Sequence, residues 1–311
     1  MTVAIVLLTL LVGAWLLAVI EAWLTTGRLR PVAPLLAGLS HLGRESILAR
    51  KPDRLFFETA PVLLLVVAVL GAAVLPLTPD LVIADLATGA LFLNAVLAYV
   101  LVSLIMAGWG PNGAYAMIGG WRFLGQLIAY SMLIVMPITA TAMRAESLLN
   151  SVIVESQAGL WNIVYQPLGF VLFFIAAIAL AFRSPFDLPT APGELAGGVD
   201  AEYTGVRLTV LRLARLVMLI TLSAATTVFF LGGWQGPLLP PWAWSLIKTL
   251  AVAVSMLLVG YYLPRIREAD LLGWCWKFGI PLALLNILIV GLLILVAVSY
   301  THLTLPTIYS V

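Results

Sequence analysis

The 311-residue sequence holds one cysteine, Cys275, and two histidines, His41 and His302. A single thiol closes no intramolecular disulfide and supplies neither a cysteine zinc site nor the ligands of an iron–sulfur cluster. Two histidines are too sparse a set to suggest a bis-histidine haem. No metal site and no covalently bound cofactor are expected, so any electron carrier must lie in another subunit or be a diffusible molecule. Charge is scarce as well: Asp, Glu, Lys and Arg together make up 10% of the chain, against about a quarter in soluble domains. No nucleic-acid partner is expected. What is present is apolar. The chain is 63% hydrophobic with a mean hydropathy of +1.12, a surplus that one aqueous core cannot bury. It reads as an integral membrane protein whose partner is the lipid bilayer.

Apolar runs near twenty residues with helical rather than alternating character predict an all-α polytopic bundle, not a barrel. Eight spans are expected, at about 3–24, 60–77, 86–108, 123–142, 164–182, 214–233, 242–263 and 280–300. Fourteen of the sixteen Lys and Arg fall in the loops after the first, third, fifth and seventh spans. Arg144 is the one basic residue on the other side, and Lys248 lies within a span. By the positive-inside rule the odd-numbered loops are cytoplasmic and both termini lie outside, in a multi-pass protein of the cell (inner) membrane. The first span lacks a basic leader and is followed by Glu21 and Arg28, so a cleaved signal peptide is not expected. Residues 1–300 read as a single membrane domain. The end, THLTLPTIYSV (301–311), has no apolar period and no charge and reads as an unstructured or non-native tail. No paired broken helices recur in two halves, which sets an independent transporter aside.

Three features could carry chemistry. In the first long loop, leucines at 35, 36, 39 and 42 have the spacing of an amphipathic helix lying at the membrane interface. It serves either as a connector or as a docking element, with Arg44 and Glu45 just beyond it. The segment Arg183–Tyr203, RSPFDLPTAPGELAGGVDAEY, packs Arg183, Asp187, Glu194, Asp200 and Glu202 between two apolar spans. Its prolines at 185, 189 and 192 and glycines at 193, 197 and 198 rule out one long helix and predict a folded, irregular loop. Its acids are either proton-exchanging groups raised by burial or ordinary salt-bridged surface carboxylates. Lys248 stands inside the seventh span, where a lysine is a functional candidate by default, although it is near enough to the outer interface to snorkel. Glu21 reads as an interfacial acid, His41 as a surface residue, and the Trp- and Pro-rich stretch 232–244 as an aromatic belt.

Six blocks, in order, resemble the H-type membrane subunit, also called subunit 1, of respiratory complex I. The related membrane subunit of group 4 hydrogenases and formate hydrogenlyases belongs to the same superfamily. The blocks are Lys51-Pro-Asp-Arg-Leu-Phe-Phe-Glu-Thr-Ala-Pro61, Ala107–Arg122 with Gln126 and Tyr130, Gln157 with Trp161 and Pro167, Arg183-Ser-Pro-Phe-Asp-Leu-Pro189, Lys248, and Pro264–Arg267 with Trp276, Lys277, Pro281 and Asn286. The resemblance implies a non-autonomous subunit, not an enzyme alone. Its cytoplasmic loops would meet the hydrophilic arm, help form the quinone-reduction chamber and couple electron transfer to proton translocation. Quinone is then the substrate, and other membrane and hydrophilic subunits are the partners. On this reading Arg44, Glu45, Arg183, Asp187, Glu194, Glu202 and Lys248 are the chamber or coupling candidates, with Arg183 as partner of the loop acids. Five acids usual in the family are replaced here, by Ala37, Ser131, Leu180, Thr190 and Pro192. The segment Glu202-Tyr203-Thr204-Gly205 resembles the hydrogenase branch. The alternative is therefore a membrane anchor of a hydrogenase-like complex with altered or lost coupling.

Overall fold

The computed structural model describes residues 2–49, 51–191 and 193–303. Among these residues twelve α-helices form: α1 (Thr2–Thr26), α2 (Ala33–Leu42), α3 (Arg54–Ala73), α4 (Gly89–Trp109), α5 (Ala114–Ala145), α6 (Asn150–Glu155), α7 (Asn162–Tyr165), α8 (Pro167–Leu180), α9 (Gly205–Phe230), α10 (Pro241–Tyr262), α11 (Glu268–Trp274) and α12 (Ile280–Leu303). A π turn at Cys275–Gly279 joins α11 to α12. Among the described residues there is no strand, only one isolated bridge between Thr78 and Leu81.

Each of the eight expected spans contains a helix, and among the described residues seven are long and apolar enough to cross a membrane. The fifth differs from the sequence expectation. It begins at Pro167 rather than 164 and ends at Leu180, 14 residues long, or about 21 Å against a hydrocarbon thickness of about 30 Å. Pro167 suits a first helical position but forces Gln166 out of helical geometry, separating α7 from α8. Phe182, at φ +55°, turns the chain away at the other end. The helix survives at this length because it is walled by α5, α9 and α12 rather than by lipid. The last helix runs on through Leu303, past the expected end at 300. Residues 304–311 of the expected tail, with Arg50 and Pro192, lie outside the described residues.

The bundle is built around α9. Every residue from Val217 to Phe230 is buried, with α1, α3, α8 and α10 packed around it. Lipid offers no hydrophobic reason for two helices to associate, so close packing and polar cross-links must hold such a pair. Thr221 supplies one, its hydroxyl donating 2.9 Å to the Ala68 carbonyl of α3. The hydroxyls of Ser223, Thr226 and Thr227 donate to carbonyls one turn back at 2.7–3.0 Å, so these three buried donors are satisfied. The peripheral helices α1 and α12 expose leucines such as Leu8, Leu11, Leu288 and Leu292, the surface that lipid covers.

The charges gather at one end of the bundle, where α1, α4, α8 and α10 finish and α3, α5, α9 and α11 begin. Here α2 has no buried residue, and the one described polar contact from its own side chains to the bundle is at 3.0 Å between His41 Nε2 and Arg212 of α9. Partial burial, then the Arg212 and Arg44 guanidiniums, hold the His41 pKa below its ordinary 6.5. A lowered pKa means that the neutral ring favours the folded state: stability is present above the unfolded value and lost as pH falls through the folded one. Amide exchange in α2, corrected for intrinsic rate, is expected to accelerate as pH falls below the ordinary histidine value of 6.5, while α9 stays protected. His41→Gln should remove that pH dependence.

Candidate functional site: the charged end of the bundle

The segment Arg183–Tyr203 folds as a chain of turns. Backbone N–H groups of Phe186, Leu195 and Tyr203 donate to Arg183, Ala191 and Asp200 at 2.8–3.1 Å, and a short 3-10 turn covers Gly198–Asp200. Phe186, Leu188, Leu195, Val199 and Tyr203 point inward and are buried. Tyr203 stacks on Phe57 of α3 with ring centroids 4.6 Å apart, and its hydroxyl donates to the Ala107 carbonyl at 3.3 Å. Gln126 of α5 donates to the Phe186 carbonyl at 3.0 Å. Two glycines let the helices close on the loop: a Cβ on Gly119 would stand 2.5 Å from the Pro189 carbonyl, and one on Gly260 would stand 2.5 Å from the Ser184 carbonyl.

Among the described residues six carboxylate–guanidinium contacts occur, all at this end. Arg122 bridges Glu194 of the loop at 2.7 Å and Glu268 of α11 at 3.5 Å. Arg183 donates to Glu21 of α1 at 2.5 Å. Asp187 accepts from Arg265, beyond α10, at 2.7 Å. Arg215 grips Asp200 with two nitrogens, and Arg207 does the same to Glu58 while also reaching Ser46. Each guanidinium is the more buried partner of its pair except Arg265. A planar fork satisfied by a carboxylate is the form in which a cation tolerates such a position.

The structure brings Arg183, Asp187 and Glu194 into this network. The expected pairing of Arg183 with acids of its own loop is corrected: its partner is Glu21, 162 residues away in sequence, because the start of the loop crosses the end of α1. Arg44, Glu45 and Glu202 lie at the same end but are exposed and make no described ion pair. Glu202 shares a shallow recess with Lys51 and Gly113. Sequence reasoning missed Glu58, Arg122, Arg207, Arg215 and Glu268 as network members. Glu58 stood inside a recognised block, but nothing in its spacing names Arg207 as its partner.

Between α1, the loop and α10 opens a recess of roughly 360 Å³, lined by Glu21, Arg183, Asp187, Tyr261 and Arg265 among others. Asp187 is its most distinctive group. One carboxylate oxygen meets Arg265, and the other is buried without a hydrogen-bond partner. Burial raises its pKa above the ordinary carboxylate value, with the Arg265 charge opposing. Tyr203 is likewise raised, by burial and then by the Asp200 carboxylate.

Lys248 does not join this cluster. It lies about 18 Å along α10 from Gly260, at the opposite end of the bundle. Its ammonium donates to the carbonyls of Leu231, Gly233 and Gln235 at 2.6, 3.2 and 2.6 Å, beneath the rings of Trp161 and Trp244. These carbonyls follow the end of α9, so a cation sits at the negative pole of that helix. Gln157 and Asn162 complete the cap, donating 2.8 Å to the Val228 and Phe229 carbonyls.

The geometry defines a class: a polytopic helical membrane protein with one folded, charge-laced end. The chain belongs to the NADH dehydrogenase family, whose model matches residues 2–291. It is 40% identical over 274 residues to the second H-type subunit of NADH-quinone oxidoreductase from Geobacter sulfurreducens, a match covering 85% of this chain and 82% of that one. It is 39% identical over 274 residues to the first H-type subunit from Geobacter metallireducens, with the same coverage. It is 37% identical over 272 residues to the H-type subunit from Syntrophotalea carbinolica, again over 85% of this chain and 82% of the relative.

Two substitutions separate scaffold from site. Lys248→Met leaves buried carbonyls unmatched, at about 1–3 kcal/mol each, and should lower the thermal midpoint of the purified protein in detergent, with Lys248→Gln recovering part. Gly119→Ala should cost about 1–3 kcal/mol by forcing the loop away, read as faster protease cleavage within 183–203.

Proposed function

We propose that this chain is the H-type membrane component of a complex I-like NADH-quinone oxidoreductase. On this reading it docks the hydrophilic arm, contributes to the chamber where quinone is reduced, and couples that reduction to proton translocation. The names of its relatives favour this over a hydrogenase-type anchor. The arginine-rich end faces the cytoplasm of a cell (inner) membrane, as the distribution of Lys and Arg argues, and both termini lie outside. The single observation that carries the coupling role is Asp187: a half-buried carboxylate with one oxygen on Arg265, the other unmatched, and a raised pKa, set in a recess with the Glu21–Arg183 pair.

The chemistry follows from charge. Reducing a quinone places negative charge on its oxygens until protons arrive. A guanidinium pulled toward that charge loosens from its carboxylate, and a carboxylate that loses its cation binds a proton more readily. Arg265 and Asp187 can make that exchange, because the unmatched oxygen of Asp187 has room for the proton. The low local dielectric extends the reach of each charge. The chain itself transfers no electron. Its residues hold the headgroup's surroundings and convert a charge at the chamber into a proton shift in the membrane.

The test uses the assembled complex. Asp187→Asn should lower quinone-linked turnover coupled to proton translocation by about a hundredfold, the lower end of the scale for a lost proton-transfer group. Reduction of a water-soluble acceptor by the hydrophilic arm should stay unchanged, and Asp187→Glu should recover part of the loss. Unchanged quinone reduction together with unchanged proton translocation in Asp187→Asn would remove Asp187 from the coupling machinery.

A further inference from the structure

The turn between α1 and α2 is tied back onto α1 and yet presents two cations with nothing to hold. Gly27, at φ +67°, reverses the chain, and its N–H donates 2.8 Å to the Trp23 carbonyl. Thr26 Oγ1 donates to the Ala22 carbonyl at 2.6 Å. Further on, the indole of Trp15 donates 2.9 Å to the Pro31 carbonyl, fixing the start of α2 against α1. Between these ties lies an open recess of roughly 420 Å³, lined by Ala22, Thr26, Arg28, Arg30 and Ala33. No carboxylate lines it, and neither arginine makes an ion pair among the described residues. Glu21, the nearest acid in sequence, is held by Arg183.

The surface around the recess is apolar. Trp23, Leu29 and Val32 are exposed beside it, and α2 continues with Leu35, Leu36, Leu39 and Leu42, each between 47% and 64% exposed. These leucines fall on one side of a helix that buries none of its own residues. Water is a poor neighbour for such a face, and the lipid-facing surface of α1 adjoins it. Two bare guanidiniums beside an apolar helix face match a molecule with an anionic head and acyl chains.

We propose that Arg28 and Arg30 bind the phosphate of an anionic phospholipid whose acyl chains lie along α1 and the leucine face of α2. The guanidiniums supply charge-assisted donors to the phosphate oxygens. The leucines enter the acyl region, so the lipid holds α2 flat on the bundle. An acidic partner protein would satisfy the charges but leave the leucine row uncovered, and a free phosphate would leave it equally bare.

The experiment uses the full chain in detergent, with phosphatidylglycerol and phosphatidylcholine added in turn, and native mass spectrometry to count retained lipid. The wild type should retain phosphatidylglycerol in preference to phosphatidylcholine. The double variant Arg28→Gln with Arg30→Gln should hold it about thirtyfold more weakly, the effect of removing two surface cations. Arg28→Lys with Arg30→Lys should keep most of the retention, which separates lost charge from lost fold. Inorganic phosphate at millimolar concentration should not displace the lipid. Equal retention of the two lipids, or unchanged retention in the double Gln variant, overturns the proposal. Displacement by phosphate overturns it in favour of a free-anion site. Loss of hydrophilic-arm binding in the double Gln variant, with phosphatidylglycerol retention intact, overturns it in favour of a protein dock.

Discussion

A helix enclosed on all sides within a membrane must have its terminal carbonyls satisfied by protein, because neither water nor lipid reaches them. In this fold that helix is α9. Side chains from two other segments meet its C-terminal end: Gln157 and Asn162 reach the Val228 and Phe229 carbonyls, and Lys248 takes that of Leu231 together with two in the turn beyond. The irregular chain between α6 and α8 therefore has a structural purpose, since it delivers the capping amides. The same requirement accounts for a lysine within a span. Three carbonyls and the negative pole of a helix stabilise an ammonium without a carboxylate, and two tryptophan faces close around it.

With α9 fixed at that end, its other end becomes a rigid base for the charged loop. Arg207 and Arg215 project from its first turns and grip Glu58 and Asp200, so the start of α3 and the close of the loop are referred to one helix. Arg122 draws in α11 through Glu268, and Arg183 draws in α1 through Glu21. Exposed ion pairs contribute little singly. Here the cations are largely shielded and each ties two segments together, with Arg122 tying three. The loop's apolar plugs and the two glycine contacts hold it in place, and the ion pairs set its electrostatics.

The sequence made the helices legible because each apolar run had to become one, and it made α2 legible because leucine spacing survives without a partner. The acidic loop was also readable as folded, from prolines and glycines that forbid a helix. The short α8 was not, since its length depends on neighbouring helices replacing lipid at its flanks, a tertiary fact. Nor were the pairings. Arg183 and Glu21, or Arg207 and Glu58, meet only because helix ends converge, and a single sequence carries no signal for which cation takes which acid. Lys248 was visible as unusual, but the carbonyls that give it a structural role belong to a turn whose path only the fold reveals.

The placement of the substituted positions sharpens what kind of coupling this chain supports. Leu180 is fully buried at the end of α8, where a carboxylate would need a partner to be charged. Ser131 turns its hydroxyl back onto the Ile128 carbonyl of its own helix, and Ala37 is on the exposed α2. Deeper in α5, the Tyr130 hydroxyl and the Gln126 carbonyl oxygen are buried with no hydrogen-bond partner, one turn apart on the same face. Of the acids that remain, Asp187 and Glu194 sit in ion pairs at the charged end and Glu45 and Glu202 are exposed beside them, while the described interior behind holds no buried carboxylate. Under the proposed coupling role, a signal leaving the Asp187 recess toward the membrane centre therefore has no ladder of carboxylates to climb. It must pass as an electrostatic field through low dielectric, or as a displacement of the loop against α5 and α9. The loop lies against α5 at Gly119 and against α10 at Gly260 too closely to admit a Cβ, so under the proposed coupling role these two contacts are where the second route would act.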